Sequence, residues 1–395
     1  MGSPDEFGTP GQPEAKLDPE ALLQDARLRR AAGGGRVVAL TGAASFLGRN
    51  LIGLLEDDPR IDRIVAIDVR APDTAGKKTR LYEIDLAGAA SADRVAEVLA
   101  AEQARTLVHL AFLSSPTPAV AWAHELESVG AMHVFQAARQ AGLAKLVVWS
   151  QTILYGAHPE NPNFLDERHP LRADLQEPFF ADKIAAEREA NAFAQKAKGT
   201  TVTILRTAPI LGPTVQNYVT RYLTQRVVPT LMGFDPLWQF VHEVDALAAF
   251  KLAIVQDFPG TFNIVGDGVL PLSTIVRLAG RRPVPMLTSA ARLAVGALWT
   301  ARAGVAPPSF LRYLRYLCVA DGEKAKNVMG FVPAFTTREA LVDFLGAQRL
   351  RDVRLLSDKP GASAQGGGEK AQGAKEGSGA AESAGPSDAR VEPHG

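Results

Sequence analysis

The sequence predicts an α/β protein in which a doubly wound parallel sheet is accompanied by a smaller, partly helical C-terminal domain. Three observations support this fold class. The chain contains an apolar run, a glycine turn and a helical pattern between residues 36 and 55, strand and helix patterns alternate as far as residue 206, and the alternation then weakens. Strands separated by helices require crossover connections, which give a parallel sheet covered on both faces.

The first strand, turn and helix have the pattern of a dinucleotide-binding unit. The apolar run 37–40 leads through a turn of small residues into an apolar-periodic segment that predicts a helix. A second apolar run ends at Asp68, at about the twenty-residue distance from Gly48 at which such a unit places its ribose-binding carboxylate. Gly42 permits the tight turn, Gly48 lets the helix approach the strand, and the helix N-terminus presents amides to a pyrophosphate.

The alternation of strand and helix continues after Asp68. The predicted strands are 80–84, 106–111, 145–150 and 201–206, and the predicted helices are 92–102, 120–141 and 179–197. We therefore predict a dinucleotide-binding domain over residues 36–213 and a smaller substrate domain over residues 214–350.

Composition limits the function. The 43 basic residues balance 43 acidic ones, so no overall charge attracts nucleic acid or an anionic membrane. Cys318 is the single cysteine, which excludes an intramolecular disulfide and fits a cytoplasmic protein. The spacing of the histidines does not match a metal site, so no metal is expected.

The two ends and one internal segment stand apart from the folded pattern. Residues 1–35 are predicted to be a flexible leader, and residues 351–395 a disordered tail, because both are rich in small and charged residues. The apolar segment 285–303 is too short and too charged to cross a bilayer. We expect a packed helix there, in preference to an interfacial membrane helix anchored by Trp299.

Nine segments, in order, make the chain similar to the extended short-chain dehydrogenase/reductase family, which includes NAD-dependent epimerases, dehydratases and reductases. They are TGAASFLG at 41–48, Asp68, Asp85-Leu86, VHLA ending at Ala111, SQTILYG at 150–156, LRTAPILGP at 205–213, FVHEVDAL at 240–247, GTFNIVGDG at 260–268 and DGEKAKNVMGFVP at 321–333. The resemblance spans residues 36–346. It implies a Rossmann-like fold, with late family segments interleaved in the substrate domain.

The resemblance also implies where NAD would bind. The cofactor positions are Gly42, Ser45, Phe46, Leu47 and Gly48 at the pyrophosphate, Asp68 at the adenosine ribose, Asp85 and Leu86 at the adenine, and Ala111 and Lys183 on the nicotinamide side. A carboxylate at Asp68 repels a 2′-phosphate, which favours NAD over NADP, although Arg70 leaves some room for NADP. Ser45 replaces a glycine of the usual pattern, and its Cβ takes up space near the phosphates.

The catalytic positions of the family are substituted. The family uses a tyrosine acid/base four residues before a lysine, and here Lys183 is retained but the tyrosine position is Phe179. Gln151 stands where the family has a hydroxyl, and Glu127 where it has an asparagine. The sequence therefore predicts an NAD(P)-binding regulator or pseudoenzyme of an oxidoreductase lineage. The alternative is an active epimerase, dehydratase or reductase in which Glu127, Gln151 and Lys183, with His158, form a replacement acid/base set.

Two kinds of partner are expected. A small molecule would bind in the crevice at the carboxyl ends of the strands, with candidate lining residues 113–115, 209–211 and 216–221. The family also implies a homodimer formed by helices 120–141 and 179–197. Leu126, Gly130, Val134 and Ala138 recur at helical spacing and would face either the dimer partner or the sheet.

Overall fold

The computed structural model describes residues 36–357. The strands are β1 Arg36–Thr41, β2 Ile61–Asp68, β3 Thr79–Glu83, β4 Thr106–His109, β5 Lys145–Gln151, β6 Thr201–Thr207, β7 Ile210–Leu211, β8 Val227–Leu231, β9 Leu237–Trp238, β10 Val241–His242, β11 Gly260–Ile264, β12 Leu270–Pro271 and β13 Arg282–Met286. The α-helices are α1 Phe46–Glu56, α2 Ser91–Ala101, α3 Val120–His124, α4 Gly130–Gln140, α5 Pro178–Lys196, α6 Tyr218–Thr224, α7 Glu243–Val255, α8 Leu272–Leu278, α9 Thr288–Thr300 and α10 Thr337–Ser357. Two π-helical segments, Glu125–Val129 and Ala325–Met329, and two 3₁₀ segments, Thr152–Tyr155 and Pro308–Leu314, complete the set.

The predicted doubly wound sheet is confirmed. Seven parallel strands are hydrogen-bonded in the order β11-β6-β5-β4-β1-β2-β3. The chain order reverses between β1 and β4, which is the position where ligands bind in sheets of this kind. β11 lies in the GTFNIVGDG segment, so the sheet also takes a strand from beyond residue 213.

Close packing at the first turn depends on its two glycines. Gly42 has φ of +71°, and a Cβ there would lie 2.7 Å from the backbone nitrogen of Ala111. A Cβ on Gly48 would lie 2.2 Å from the carbonyl oxygen of Gly42. Both distances are too short for any side chain, so the strand, the turn and α1 meet as closely as the sequence predicts.

The predicted helix 120–141 is a continuous run of α3, the first π-helical segment and α4. The positions Leu126, Gly130, Val134 and Ala138 pack into the interior of the chain: Val134 and Ala138 are fully buried, and a Cβ on Gly130 would lie 3.2 Å from the Leu86 side chain. This stripe therefore faces the core, which is the second of the two orientations expected for it. It gives no support to a dimer.

A second core is built mainly by residues that follow β6 in the chain. Leu223, Val228, Leu272 and Phe344 are buried in a cluster separate from the one around the sheet. Contacts nevertheless group the described residues through Leu350 into a single compact unit, with no division at residue 213.

The predictions for the two termini concern residues that mostly lie outside the described part of the chain. The predicted leader and residues 358–395 of the predicted tail lie outside the described residues. Residues 351–357, which were assigned to the tail, belong to α10. Within residues 36–357, none of the helices combines the length and the hydropathy needed to cross a membrane.

The expectation of a packed helix over residues 285–303 is wrong for most of its side chains. Within α9, Ala291 is buried, whereas Leu293 is 77% and Leu298 is 52% exposed. The helix forms, but its apolar side chains are largely left in solvent.

Candidate active site and cofactor cradle

The turn between β1 and α1 is held by Asp68 and Ser45. The Asp68 Oδ2 atom accepts a hydrogen bond from the Ala44 amide at 2.9 Å, which fixes the turn against the end of β2. The Ser45 hydroxyl accepts from the Gly48 amide at 3.1 Å and caps α1. Helix geometry leaves the amides of Phe46 and Leu47 without intrahelical acceptors, so they are available to an anion.

Three other predicted cofactor positions follow the carboxyl ends of strands β3 and β4. Ala111 lies against Gly42, directly after β4. Asp85 is exposed and its Oδ1 atom accepts from the Ala87 amide at 3.0 Å, while the buried Leu86 uses its carbonyl to contact the His133 ring at 2.8 Å. The glycines that leave no space for a Cβ, the free amides and the carboxylate at the end of β2 fit a dinucleotide.

Lys183 and Glu127, two of the predicted catalytic residues, form a buried ion pair. The Lys183 Nζ atom lies 2.7 and 2.8 Å from the two carboxylate oxygens of Glu127. The side chains are 4% and 1% exposed. Glu127 also accepts a hydrogen bond from the Leu113 amide, in the loop after β4. The carboxylate therefore ties α5 and the π-helical segment to that loop.

Burial acts against both charges of this pair. Desolvation raises the pKa of Glu127 and lowers the pKa of Lys183, while the attraction between the two groups and their hydrogen bonds act in the opposite direction. A charge left without its partner here would be costly, because both side chains are almost fully buried.

Phe179 completes the surroundings of the lysine. The Lys183 Nζ atom lies 3.6 Å from the centre of the Phe179 ring, which is a cation–π contact. The ring is 5% exposed and contacts Phe180, Tyr218 and Phe310 in a third apolar cluster. The ammonium thus lies between a carboxylate and an aromatic face.

A cavity opens beside the turn. It holds about 570 Å³ of space, part of it open to solvent. Its wall includes Ser45, Phe46 and Leu47 at the start of α1 and Gln151 from the end of β5. It also includes six of the residues expected to line the crevice: Ser114, Pro209, Ile210, Gln216, Asn217 and Tyr218. Of the three catalytic candidates, Gln151 lines this cavity, whereas Glu127 and Lys183 are not among its lining residues.

Several wall residues were not anticipated. Phe112, Trp149 and Thr207 line the same cavity, and the Trp149 indole donates to the Thr207 hydroxyl at 2.9 Å. An adjoining depression, with about 440 Å³ of space that is partly open to solvent, is lined by Trp238, Tyr313 and Tyr316 among others. Tyr313 and Tyr316 come from the aromatic segment FLRYLRYLC at residues 310–318, whose position relative to β5 cannot be read from spacing.

His158, the fourth member of the alternative acid/base set, is engaged elsewhere. Its Nε2 atom lies 2.9 Å from the Arg172 carbonyl oxygen and its Nδ1 atom 2.9 Å from Arg312 Nη2. Across the described part of the chain, no three His, Cys, Asp or Glu side chains are arranged to hold a metal ion.

Comparison with known proteins agrees with this architecture. Residues 38–265 match the model of the NAD dependent epimerase/dehydratase family. An uncharacterized protein of Mycobacterium tuberculosis is 33% identical over 329 residues, which cover 80% of this chain and 85% of the relative. The chain belongs to the NAD-dependent epimerase/dehydratase family.

Other relatives of this epimerase/dehydratase-family chain have named activities or ligands. A 3-diazoavenalumate denitrifying reductase of Streptomyces is 26% identical over 244 residues, covering 59% of this chain and 77% of the relative. The structure of MoeE5 in complex with UDP-glucuronic acid and NAD is 25% identical, covers 80% of this chain and 99% of that one, and has a TM-score of 0.62. A UDP-glucose 4-epimerase of Thermotoga maritima with UDP-glucose, at 16% identity and a TM-score of 0.61, shares the fold over 80% of this chain and 99% of its own.

Proposed function

We propose that this epimerase/dehydratase-family chain binds NAD between the β1–α1 turn and the end of β2 but does not perform tyrosine-dependent hydride transfer. It would act as a cofactor-binding regulator. The observation that carries the proposal is the Phe179 ring against the Lys183 ammonium, in the place where the family pattern requires a phenol.

Cofactor binding is supported by the cradle. Phe46 and Leu47 are the first two residues of α1, and both line the cavity. The amides of a helix N-terminus stabilise negative phosphates. Asp68 would accept the adenosine ribose hydroxyls, and its negative charge favours NAD over NADP. The Ser45 hydroxyl oxygen accepts from the Gly48 amide, and its own proton can be donated to a phosphate oxygen.

Loss of the standard chemistry is supported by three features. Phe179 has no proton to exchange. The Lys183 ammonium already contacts both oxygens of Glu127, and neither residue lines the cavity. The phenol that does line it, Tyr218, has a pKa raised by burial, whereas a general acid/base at neutral pH needs a pKa near the working pH.

The second candidate is a reductase or epimerase with a replacement acid/base set. Two observations favour it: the Streptomyces relative is named a reductase, and Gln151 lines the cavity, where its amide could bind a substrate oxygen. The pKa of Glu127 is raised, as in many general acids, but its carboxylate is already occupied by Lys183 and Leu113. For this reason we prefer the non-catalytic proposal.

The first test is calorimetric titration of the full chain with NAD, NADH and NADPH. NAD binding should weaken at least about tenfold in Asp68→Ala, because the ribose loses its acceptor and the turn loses its bond to Ala44. Asp73→Ala is a matched control, since Asp73 is also an aspartate after β2 but its side chain is 70% exposed. Absence of binding at millimolar NAD, or an equal loss in both variants, would overturn cofactor binding at this site.

The second test is turnover. UDP-glucose, UDP-glucuronic acid and aromatic acids and aldehydes would be incubated with NAD or NADH, and NADH absorbance and product mass measured. We expect no substrate-dependent change. Turnover that disappears in Glu127→Gln and in Gln151→Leu would replace the non-catalytic proposal with the second candidate.

A further inference from the structure

One face of α9 is apolar and exposed. Ala290, Leu293, Ala297 and Ala301 recur at helical spacing and all are exposed, with Leu298 beside them. This arc carries no charged side chain. A helix of a globular protein normally turns such an arc toward its core, but α9 packs through the neighbouring side, around Ala291 and Val295.

The exposed apolar area extends beyond the helix. Leu287, at the N-terminus of α9, is 64% exposed, and Val284 of the preceding β13 is 42% exposed. Met232, whose amide donates to the Met286 carbonyl oxygen at 3.0 Å, is 55% exposed. We call these side chains together with the arc on α9 the α9 face. Exposed apolar areas of this kind mark sites of contact with another molecule or a membrane.

The charges of the sequence stretch that carries α9 have a single sign. Seven arginines and no aspartate or glutamate occur between Asp267 and Asp321, although the whole chain carries 43 charges of each sign. The exposed arginines of this stretch are Arg277, Arg282, Arg292, Arg302 and Arg312. The balanced total therefore conceals a strongly basic segment, and the exclusion of anionic surfaces from net charge does not apply to it.

Arg292 and Arg302 are placed to serve a polar boundary. Arg292 lies outside the apolar arc on α9 but borders the same open depression as Leu293 and Ala297, and Arg302 follows the C-terminus of the helix. Long basic side chains at the margin of an apolar helix face can reach lipid phosphates while the leucines enter the acyl region. We propose that the α9 face binds the surface of a bilayer containing anionic phospholipid, with α9 lying in the plane of the interface.

A bilayer fits this face better than a second copy of the chain. Pairing two α9 faces would bring their arginines together, and the sequence between Asp267 and Asp321 offers no acidic partner for them. Anionic lipid headgroups supply the missing negative charge, and juxtamembrane arginines are attracted to them.

The test is co-sedimentation of the full chain with vesicles. The probes are pure phosphatidylcholine vesicles and vesicles in which part of the phosphatidylcholine is replaced by phosphatidylglycerol. Binding should require phosphatidylglycerol and decline as salt is added, because screening weakens the contacts of the arginines with phosphate. The double variant Leu293→Asn/Leu298→Asn should bind vesicles at least about tenfold more weakly, since it loses the two leucines that would enter the acyl region of the bilayer.

Two controls separate the face from the rest of the chain. Leu350→Asn changes a 67% exposed leucine on α10, and Arg188→Glu changes an exposed arginine on α5; neither should alter vesicle binding.

Arg292→Glu/Arg302→Glu should abolish the preference for phosphatidylglycerol. Failure to bind either vesicle, or binding that the α9 variants leave unchanged, would overturn the proposal. A dimer mass by light scattering that falls to the monomer in the leucine variant would also overturn it, by assigning the face to a second copy.

Discussion

Breaking the buried pair of Lys183 and Glu127 is the perturbation with the largest predicted effect on stability. Removing one partner of such a pair leaves an uncompensated buried charge, which costs about 3–5 kcal/mol of unfolding free energy. Glu127→Gln keeps an oxygen for the Leu113 amide and removes the charge, and Lys183→Met keeps the length of the side chain under the Phe179 ring. The double variant Glu127→Gln/Lys183→Met contains no buried charge, so it should be more stable than the two single losses added together predict, by about 3 kcal/mol.

The two single variants should depend on pH in opposite directions. In Glu127→Gln the lone Lys183 has a pKa lowered by burial, so the unfolded chain binds more protons than the native one and stability rises with pH. In Lys183→Met the lone Glu127 has a raised pKa, so the native chain binds more protons and stability falls as pH rises above the usual range of a carboxyl group. The decrease in unfolding free energy of each single variant, relative to the parent chain, should therefore become smaller toward the pH at which the remaining group is neutral.

Urea unfolding followed by tryptophan fluorescence at acidic, neutral and alkaline pH measures both effects. The predicted coupling is refuted if the decreases in unfolding free energy of the two single variants add up to that of the double variant. The prediction also fails if both single variants respond to pH with the same sign, since the remaining charges would then be solvated.

Three further predictions concern the sheet and its first turn. Gly48→Ala should lower the unfolding free energy by about 1–3 kcal/mol and weaken NAD binding, because a Cβ would lie 2.2 Å from the Gly42 carbonyl oxygen; unchanged thermal melting would contradict this. Tyr155→Phe should cost about 1–3 kcal/mol in chemical unfolding, because its buried hydroxyl accepts from Arg206 Nη1 at 2.8 Å; a neutral effect would mean that water replaces the hydroxyl. Burial lowers the pKa of His109 from 6.5 to about 3, so its ring stays neutral in the native chain at pH 5. In the unfolded chain the same ring is protonated there, which lowers the unfolding free energy by about 2 kcal/mol at pH 5. His109→Leu should remove this part of the acid sensitivity, and an unchanged pH profile of stability would refute the assignment.

Much of the sheet could be predicted because its signals are local. Six of its seven strands fall on predicted strand segments, most of which are apolar runs separated by helical patterns. The first turn needs glycine at positions 42 and 48 for reasons that act within a few residues. The seventh strand, β11, was less accessible, because its edge position beside β6 depends on a long connection through the small domain. The π-helical segment was not foreseen, since the helical period alone does not show an inserted residue.

The site was predictable in its residue types but not in its contacts. The substitution of Phe179 for a tyrosine is visible in the sequence. That Glu127 would bind Lys183, and not a substrate, is visible only in the fold, because the two residues are 56 positions apart and meet where the π-helical segment packs on α5. Gln151 was grouped with them by family position, yet β5 places it in the cavity wall.

Side-chain chemistry and local periodicity are enough to predict six strands of the sheet, the dinucleotide pattern ending at Asp68 and the replacement of the family's tyrosine by Phe179. Tertiary structure alone decided which polar groups are buried together and which apolar groups stay in solvent. The stripe around Val134 and the arc around Leu293 have similar helical spacing, but one packs under the sheet and the other does not. Periodicity shows that a helix has an apolar face, and only the packing of the whole chain determines whether anything covers it.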